Sequence, residues 1–179
     1  MSEPKVSVEF RITGYGSADI NLRVGDDSFL IRGASCTTDA LGDLLRMALA
    51  IATGTETATA SFDGEPMEWR LWAHNLGGSK GLFLKVLTFA DIYKKEPDEA
   101  GDIVYSAECG AADFANAVLA AGQQVWATHG EKYEWLDVPF PMRALRALET
   151  ATVTTDPPVP AKHHLEGDVG WTIYAPEKK

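Results

Sequence analysis

The sequence predicts an α+β fold built on antiparallel strands, and three observations carry this. Apolar residues alternate with polar ones over several short stretches, the pattern of half-buried strands. Tight-turn signals such as Gly25-Asp26-Asp27 and Asp63-Gly64 join neighbouring stretches, and short turns pair strands antiparallel. Two longer stretches repeat apolar residues at helical spacing instead. Strands gathered in runs, each run closed by a helix, indicate α+β rather than alternating α/β architecture. The expected order is βββα-ββββα. It describes a curved antiparallel sheet of about seven strands with two main helices on one face.

The elements follow in order. Val6, Val8, Phe10 and Ile12 alternate with Ser7, Glu9, Arg11 and Thr13. Gly14-Tyr15-Gly16 breaks this strand. Ile20, Leu22 and Val24 form a second, and Phe29 to Arg32 returns as a third. A helix then starts near Thr37 or Thr38, either of which can cap it, with Asp39 and Asp43 at the positive end of its dipole. Leu41, Leu44, Leu45, Ala48, Leu49 and Ala52 make its apolar stripe, and Gly54 ends it. Strands at Thr57–Phe62, Glu68–His74, Leu82–Phe89 and 103–108 form the second run, with a polar loop over 91–102. The second helix spans about 111–128, with Phe114, Ala117, Val118, Ala121 and Val125 facing the core. It has a single charge, Asp113, before Glu131, so it is expected to be covered on more than one side. A short helix over about 142–150 follows Pro141.

The domain organisation is read as one α+β domain over residues 1–153. An extended, Pro-containing segment, 154–179, is expected to dock on it through Trp171, Ile173 and Tyr174. The chain has 179 residues, 45% of them hydrophobic, enough for a core of its own. Lys and Arg number 16 and Asp and Glu 26, a formal net charge of −10. A general nucleic-acid binder needs a basic surface to neutralise phosphates, so this balance argues against one. The apolar run Met47–Ala52 is too short to span a bilayer, and residues 1–6 lack the apolar stretch of a secretion signal. Two cysteines do not make a disulfide framework. The expectation is a soluble cytoplasmic protein with reduced thiols.

No motif calls for a cofactor or a metal. Gly77-Gly78-Ser79-Lys80-Gly81 has Ser before Lys and joins two strands, so it is not a phosphate-binding loop. His163-His164 with Glu166 and Asp168 lacks the spacing of a zinc site and reads as a solvated tail. Cys36 and Cys109 each precede a predicted helix, where the exposed N–H groups favour a thiolate. Each is weighed as a reactive thiol, working with His74 or Glu108 in a pocket, against a small apolar residue filling a strand-to-helix junction. Strand alternation turns Arg11, Arg23, Arg32, Arg70, Trp72 and His74 outward, away from the helices. These six residues are the candidate binding patch for an acidic partner or an anionic ligand, against the alternative of an ordinary solvated face with cross-strand ion pairs.

The stretch Asp39-Ala40-Leu41-Gly42-Asp43-Leu44-Leu45-Arg46, followed by Phe62-Asp63 and Glu65-Pro66-Met67-Glu68-Trp69-Arg70, resembles a pattern in a family of small, acidic, uncharacterised bacterial α+β proteins. The resemblance implies no activity and transfers no catalytic residue. In composition alone the chain is also similar to toxin-immunity proteins. The functional expectation is a non-catalytic protein that acts by binding a protein or an anionic ligand, with immunity-type neutralisation as one form. The alternatives are a small enzyme using Cys36 or Cys109, and a structural subunit of a homo-oligomer joined through the alanine-rich second helix.

Overall fold

The alternating stretches form strands in the computed structural model, which describes residues 5–77, 81–133, 135–136 and 138–153. β1 (Val6–Gly14), β2 (Ser17–Val24) and β3 (Asp27–Ser35) pair antiparallel in the order β1-β2-β3. α1 (Ala40–Ala52) follows. β4 (Thr57–Gly64), β5 (Met67–Asn75), β6 (Leu82–Phe89) and β7 (Asp102–Cys109) then pair antiparallel in sequence order. α2 (Ala111–His129) and α3 (Met142–Val153) complete the chain described. The fold is α+β, with seven strands in the two expected runs.

The strands divide into two sheets rather than one. The division falls where α1 separates the runs. No hairpin turn links β3 to β4, so nothing in the local chain sets a register between them. The inner faces of the sheets still meet: the Phe29 ring on β3 lies 5.8 Å from Trp69 on β5 and 5.7 Å from Tyr105 on β7. Ile20, Leu22 and Ile31 of the first sheet share one apolar core with Phe62, Leu71, Leu84 and Val86 of the second. The helices close this core, Leu41, Leu44, Leu45 and Ile51 from α1 and Phe114, Val118 and Val125 from α2 being buried.

α2 packs against β1, α1 and α3, which accounts for its lack of charge. Its small residues let the helices approach closely. A Cβ on Gly122 would sit 2.9 Å from Leu145 Cδ1 and 3.0 Å from Leu45 Cδ2, so any side chain there would overpack the core. Ala115, Ala117 and Ala121 are spent on the same interior contacts.

The cap of α1 is Asp39 rather than either threonine. Its carboxylate accepts from the Gly42 amide at 3.1 Å, and Arg46 holds both Asp39 (3.0 Å) and Asp43 (2.7 Å). A carboxylate on this cap also meets the helix dipole favourably. The threonines are engaged elsewhere. The Thr37 hydroxyl donates to Asp63 and the Thr38 hydroxyl to the Ser35 carbonyl at 3.5 Å, while the Thr38 carbonyl accepts from the Trp135 indole at 2.7 Å. Ser35 donates to Glu65 beside them. The entry to α1 is thus tied to the β4–β5 turn through Thr37 on Asp63 and Ser35 on Glu65.

Among the described residues no helix is long and apolar enough to cross a membrane. Segment 154–179, with His163, His164 and Trp171, lies outside the described residues, as do Ser79 and Lys80.

Candidate functional site

The outward face of the second sheet carries the most distinctive chemistry. Alternation along β5 places Glu68, Arg70, Trp72 and His74 on it. Antiparallel register sets Asp63, Ser61, Thr59 and Thr57 of β4 beside these four, in that order. On the other side stand Phe89, Leu87, Lys85 and Phe83 of β6. This face has two unlike halves.

The half nearest the β4–β5 turn is covered. Two short 3-10 turns, Ile92–Lys94 and Asp98–Ala100, fold the β6–β7 connection back over it. The Ile92 amide donates to the Pro66 carbonyl, and Gly101 lies so close to Phe89 that a Cβ would stand 2.5 Å from the ring. Arg70 is the clamp. Its Nε and Nη2 donate to the two Glu68 oxygens at 2.8 and 2.9 Å, and its Nη1 donates to Asp98 at 2.6 Å and to the Glu96 carbonyl at 3.0 Å. The guanidinium also lies 4.1 Å above the Phe89 ring. Its side chain is 13% exposed and that of Glu68 3%. Four of the five N–H donors of Arg70 are therefore taken within the protein, and this arginine holds the connection down rather than facing a ligand.

The other half is open. The Lys85 ammonium sits 4.4 Å from the centroid of Trp72, and His74 stacks beside the indole at 5.7 Å. Where the open half meets the covered one, Trp72, Lys85 and Leu87 floor a cleft walled by Asp98, Glu99 and Ile103. Its volume is about 180 Å³. That is below the ~300–1,000 Å³ of pockets that enclose a small ligand or cofactor. It suits one protruding side chain.

The remaining patch residues lie on the other sheet. Arg11, Arg23 and Arg32 are exposed on β1, β2 and β3, so the six candidates belong to two sheets and form no single face. Arg11 is paired with Asp19 at 3.0 Å across β1 and β2. The Gly33 amide, donating to the Asp19 carboxylate at 3.1 Å, holds that group below its ordinary range. Arg11 and Arg32 act in the same direction, against the effect of burial. A lowered carboxylate contributes stability that is present above its unfolded value and lost as pH falls through the folded one. Asp19→Asn is therefore expected to lower the urea midpoint at pH 7, with the gap to wild type closing as pH drops below 4. A gap that stays constant over this range would show that charge is not what Asp19 supplies.

The cysteine constellations are not assembled. His74, Phe83 and Glu108 stand in one cross-strand row, so His74 and Glu108 share the outward face with Phe83 between them. Cys109, next along β7, points to the opposite face and is buried in the core. Cys36 lies against Gly16 at the end of the first sheet, where a Cβ on the glycine would come within 2.4 Å of its sulfur. The second sheet thus separates the Cys109 thiol from His74 and Glu108, while Cys36 packs at the other sheet. Among the described residues no group of three His, Cys, Asp or Glu side chains is placed to hold a metal ion.

No protein-family model, curated protein or solved structure matches this chain. The site must therefore be read from its own residues. Trp72 and Lys85 are legible in the sequence as outward members of alternating strands. The wall of Asp98, Glu99 and Ile103 is not, because nothing in the polar stretch 91–102 signals that it folds back onto the sheet.

Proposed function

We propose that this protein acts by binding a protein partner that presents basic side chains, and that the cleft beside Trp72 is where one of them enters. The observation that carries this reading is the cleft itself: an indole floor beneath two carboxylates, in a volume suited to a single side chain. An ammonium or guanidinium group entering it takes the place of the Lys85 ammonium over the Trp72 ring and meets the Glu99 carboxylate, Asp98 being held by Arg70, and both the ring and the carboxylate attract cations. Glu108, in the outward row with His74, adds negative charge to this face, and the chain as a whole carries −10. Charge complementarity of this kind speeds encounter with a basic surface. Neutralisation of a basic enzyme is the concrete form we favour. An anionic ligand suits the site less well, since Arg70 is already paired with Glu68 and Asp98.

The test is affinity capture from cells of the source organism with identification of what is retained, using wild type, Trp72→Ala and Glu99→Lys. We expect wild type to retain a basic protein in a salt-sensitive manner, and each variant, folded by circular dichroism, to retain at least about tenfold less, the scale of a lost interface anchor. Equal capture by all three proteins would remove the cleft from consideration.

A further inference from the structure

We propose that the outer edge of β1 pairs antiparallel with β1 of a second copy, joining the first sheets of two chains into one, three strands from each. β1 ends its sheet and is bonded there to β2 alone. The Gly25 amide donates to the Lys5 carbonyl. In the same register Ser7, Glu9 and Arg11 bond to β2, since bonded pairs alternate along an antiparallel ladder. The backbone N–H and C=O groups of Val8, Phe10 and Ile12 therefore point to the other side, where no backbone group among the described residues meets them. A groove of about 350 Å³ runs beside this edge, with residues 9–12 on one wall and Gln124, Val125, Thr128 and His129 of α2 on the other. An edge strand with unpaired groups is a template for another strand.

The charges of β1 select a second copy as the occupant. A two-fold axis through a Phe10–Phe10 pair sets Val8 opposite Ile12 and Glu9 opposite Arg11, each twice. All of these residues precede the irregularity of β1, which falls between Ile12 and Gly14. Phe10 with its copy, and Val8 with Ile12, are then the bonded pairs, and theirs are the backbone groups left free by β2. Glu9 and Arg11 form the intervening pairs, where side chains approach most closely, and opposite charges in register are stabilising. Glu9 is exposed and makes no ion pair among the described residues. Arg11, held by Asp19 at 3.0 Å, keeps a side chain 63% exposed with which to meet a second carboxylate. Moving the axis to Val8 loses both pairs and sets Lys5 opposite Arg11 instead, a like-charge contact. An axis through Phe10 normal to the sheet also places the α2 helices of both copies on one side. Asn116, Ala120, Gln124 and Thr128, four apart and exposed on α2, bring no charge to oppose this approach.

The experiment is sedimentation velocity on the full chain in about 0.1 M salt, which screens the net charge of two copies more than it screens pairs in contact. It compares wild type, Glu9→Arg, Arg11→Glu and an equal mixture of these two variants. Wild type is expected to dimerise. Each variant alone sets like charges opposite at both sites, so its dimer should be weaker by about tenfold or more. In the mixture each variant supplies the charge that the other lacks, and the dimer should return. A wild-type chain that stays monomeric at roughly 100 μM overturns the proposal, since a dimer with a Kd of about 10 μM would be populated there. A dimer that Glu9→Arg leaves unweakened also overturns it and places the contact elsewhere. Arg11→Glu faces Asp19 within its own chain; if it does not fold, Glu9→Arg decides alone. The edge belongs to the first sheet and the Trp72 cleft to the second, so the failure of either reading leaves the other standing.

Discussion

Replacing Arg70 with Ala is expected to destabilise the fold by about 3–5 kcal/mol, the cost of removing one partner from a buried ion pair. The loss does not come mainly from the attraction itself. Glu68 is 3% exposed at its side chain, and without Arg70 its carboxylate keeps only the Ser61 hydroxyl, which donates at 2.6 Å. A buried charge so stranded costs more than the pair contributed. Two further effects follow from the same substitution. The 91–101 connection loses its clamp at Glu96 and Asp98, so limited proteolysis should cut there first. The double variant Arg70→Ala with Glu68→Gln should recover a large part of the stability, because the stranded charge is gone. Urea unfolding of Arg70→Ala, Glu68→Gln and the double variant checks the cycle. A cost below about 1 kcal/mol for Arg70→Ala would mean the pair behaves as a surface salt bridge, and the clamp would not hold.

Arg70 also marks where sequence reasoning stops. Its outward position on a strand was legible, because Glu68, Arg70, Trp72 and His74 alternate with apolar Leu71 and Ala73. Periodicity assigns a residue to a face but says nothing of what returns to cover that face. Asp98 lies 28 residues away, in a stretch read only as polar loop. The same limit explains the division into two sheets. Alternation in Phe29–Arg32 and Thr57–Phe62 predicts two strands, yet register needs a hairpin or a shared buried face to fix it, and α1 intervenes. Helices are legible where apolar residues recur at helical spacing, as in Phe114, Ala117, Val118, Ala121 and Val125. The cap was misplaced because Thr37, Thr38 and Asp39 are all competent N-caps. Asp63, distant in sequence, takes the Thr37 hydroxyl and the Ser35 carbonyl takes that of Thr38, which leaves the aspartate to the helix.

Trp135 offers the sharpest case of a residue without any periodic signal. It follows α2 in an irregular stretch, yet it is fully buried and is the largest such side chain described. Phe10 lies 5.9 Å from its ring and Tyr133 6.3 Å. Its indole N–H reaches the Thr38 carbonyl across 97 residues of sequence. One side chain therefore joins the first sheet, the entry to α1 and the connection between α2 and α3. Truncation removes packing from all of these, so Trp135→Ala should cost about 3–5 kcal/mol, the range for a large aromatic cut from a core. Trp135→Phe separates the two contributions. It keeps most of the apolar contact and leaves the Thr38 carbonyl without its donor, so the expected loss is about 1–3 kcal/mol. Denaturant midpoints with unchanged m-values read both. If the two variants cost the same, the hydrogen bond to Thr38 rather than the aromatic contact holds the joint. If neither costs more than about 1 kcal/mol, the stretch around Trp135 is not part of the cooperative core.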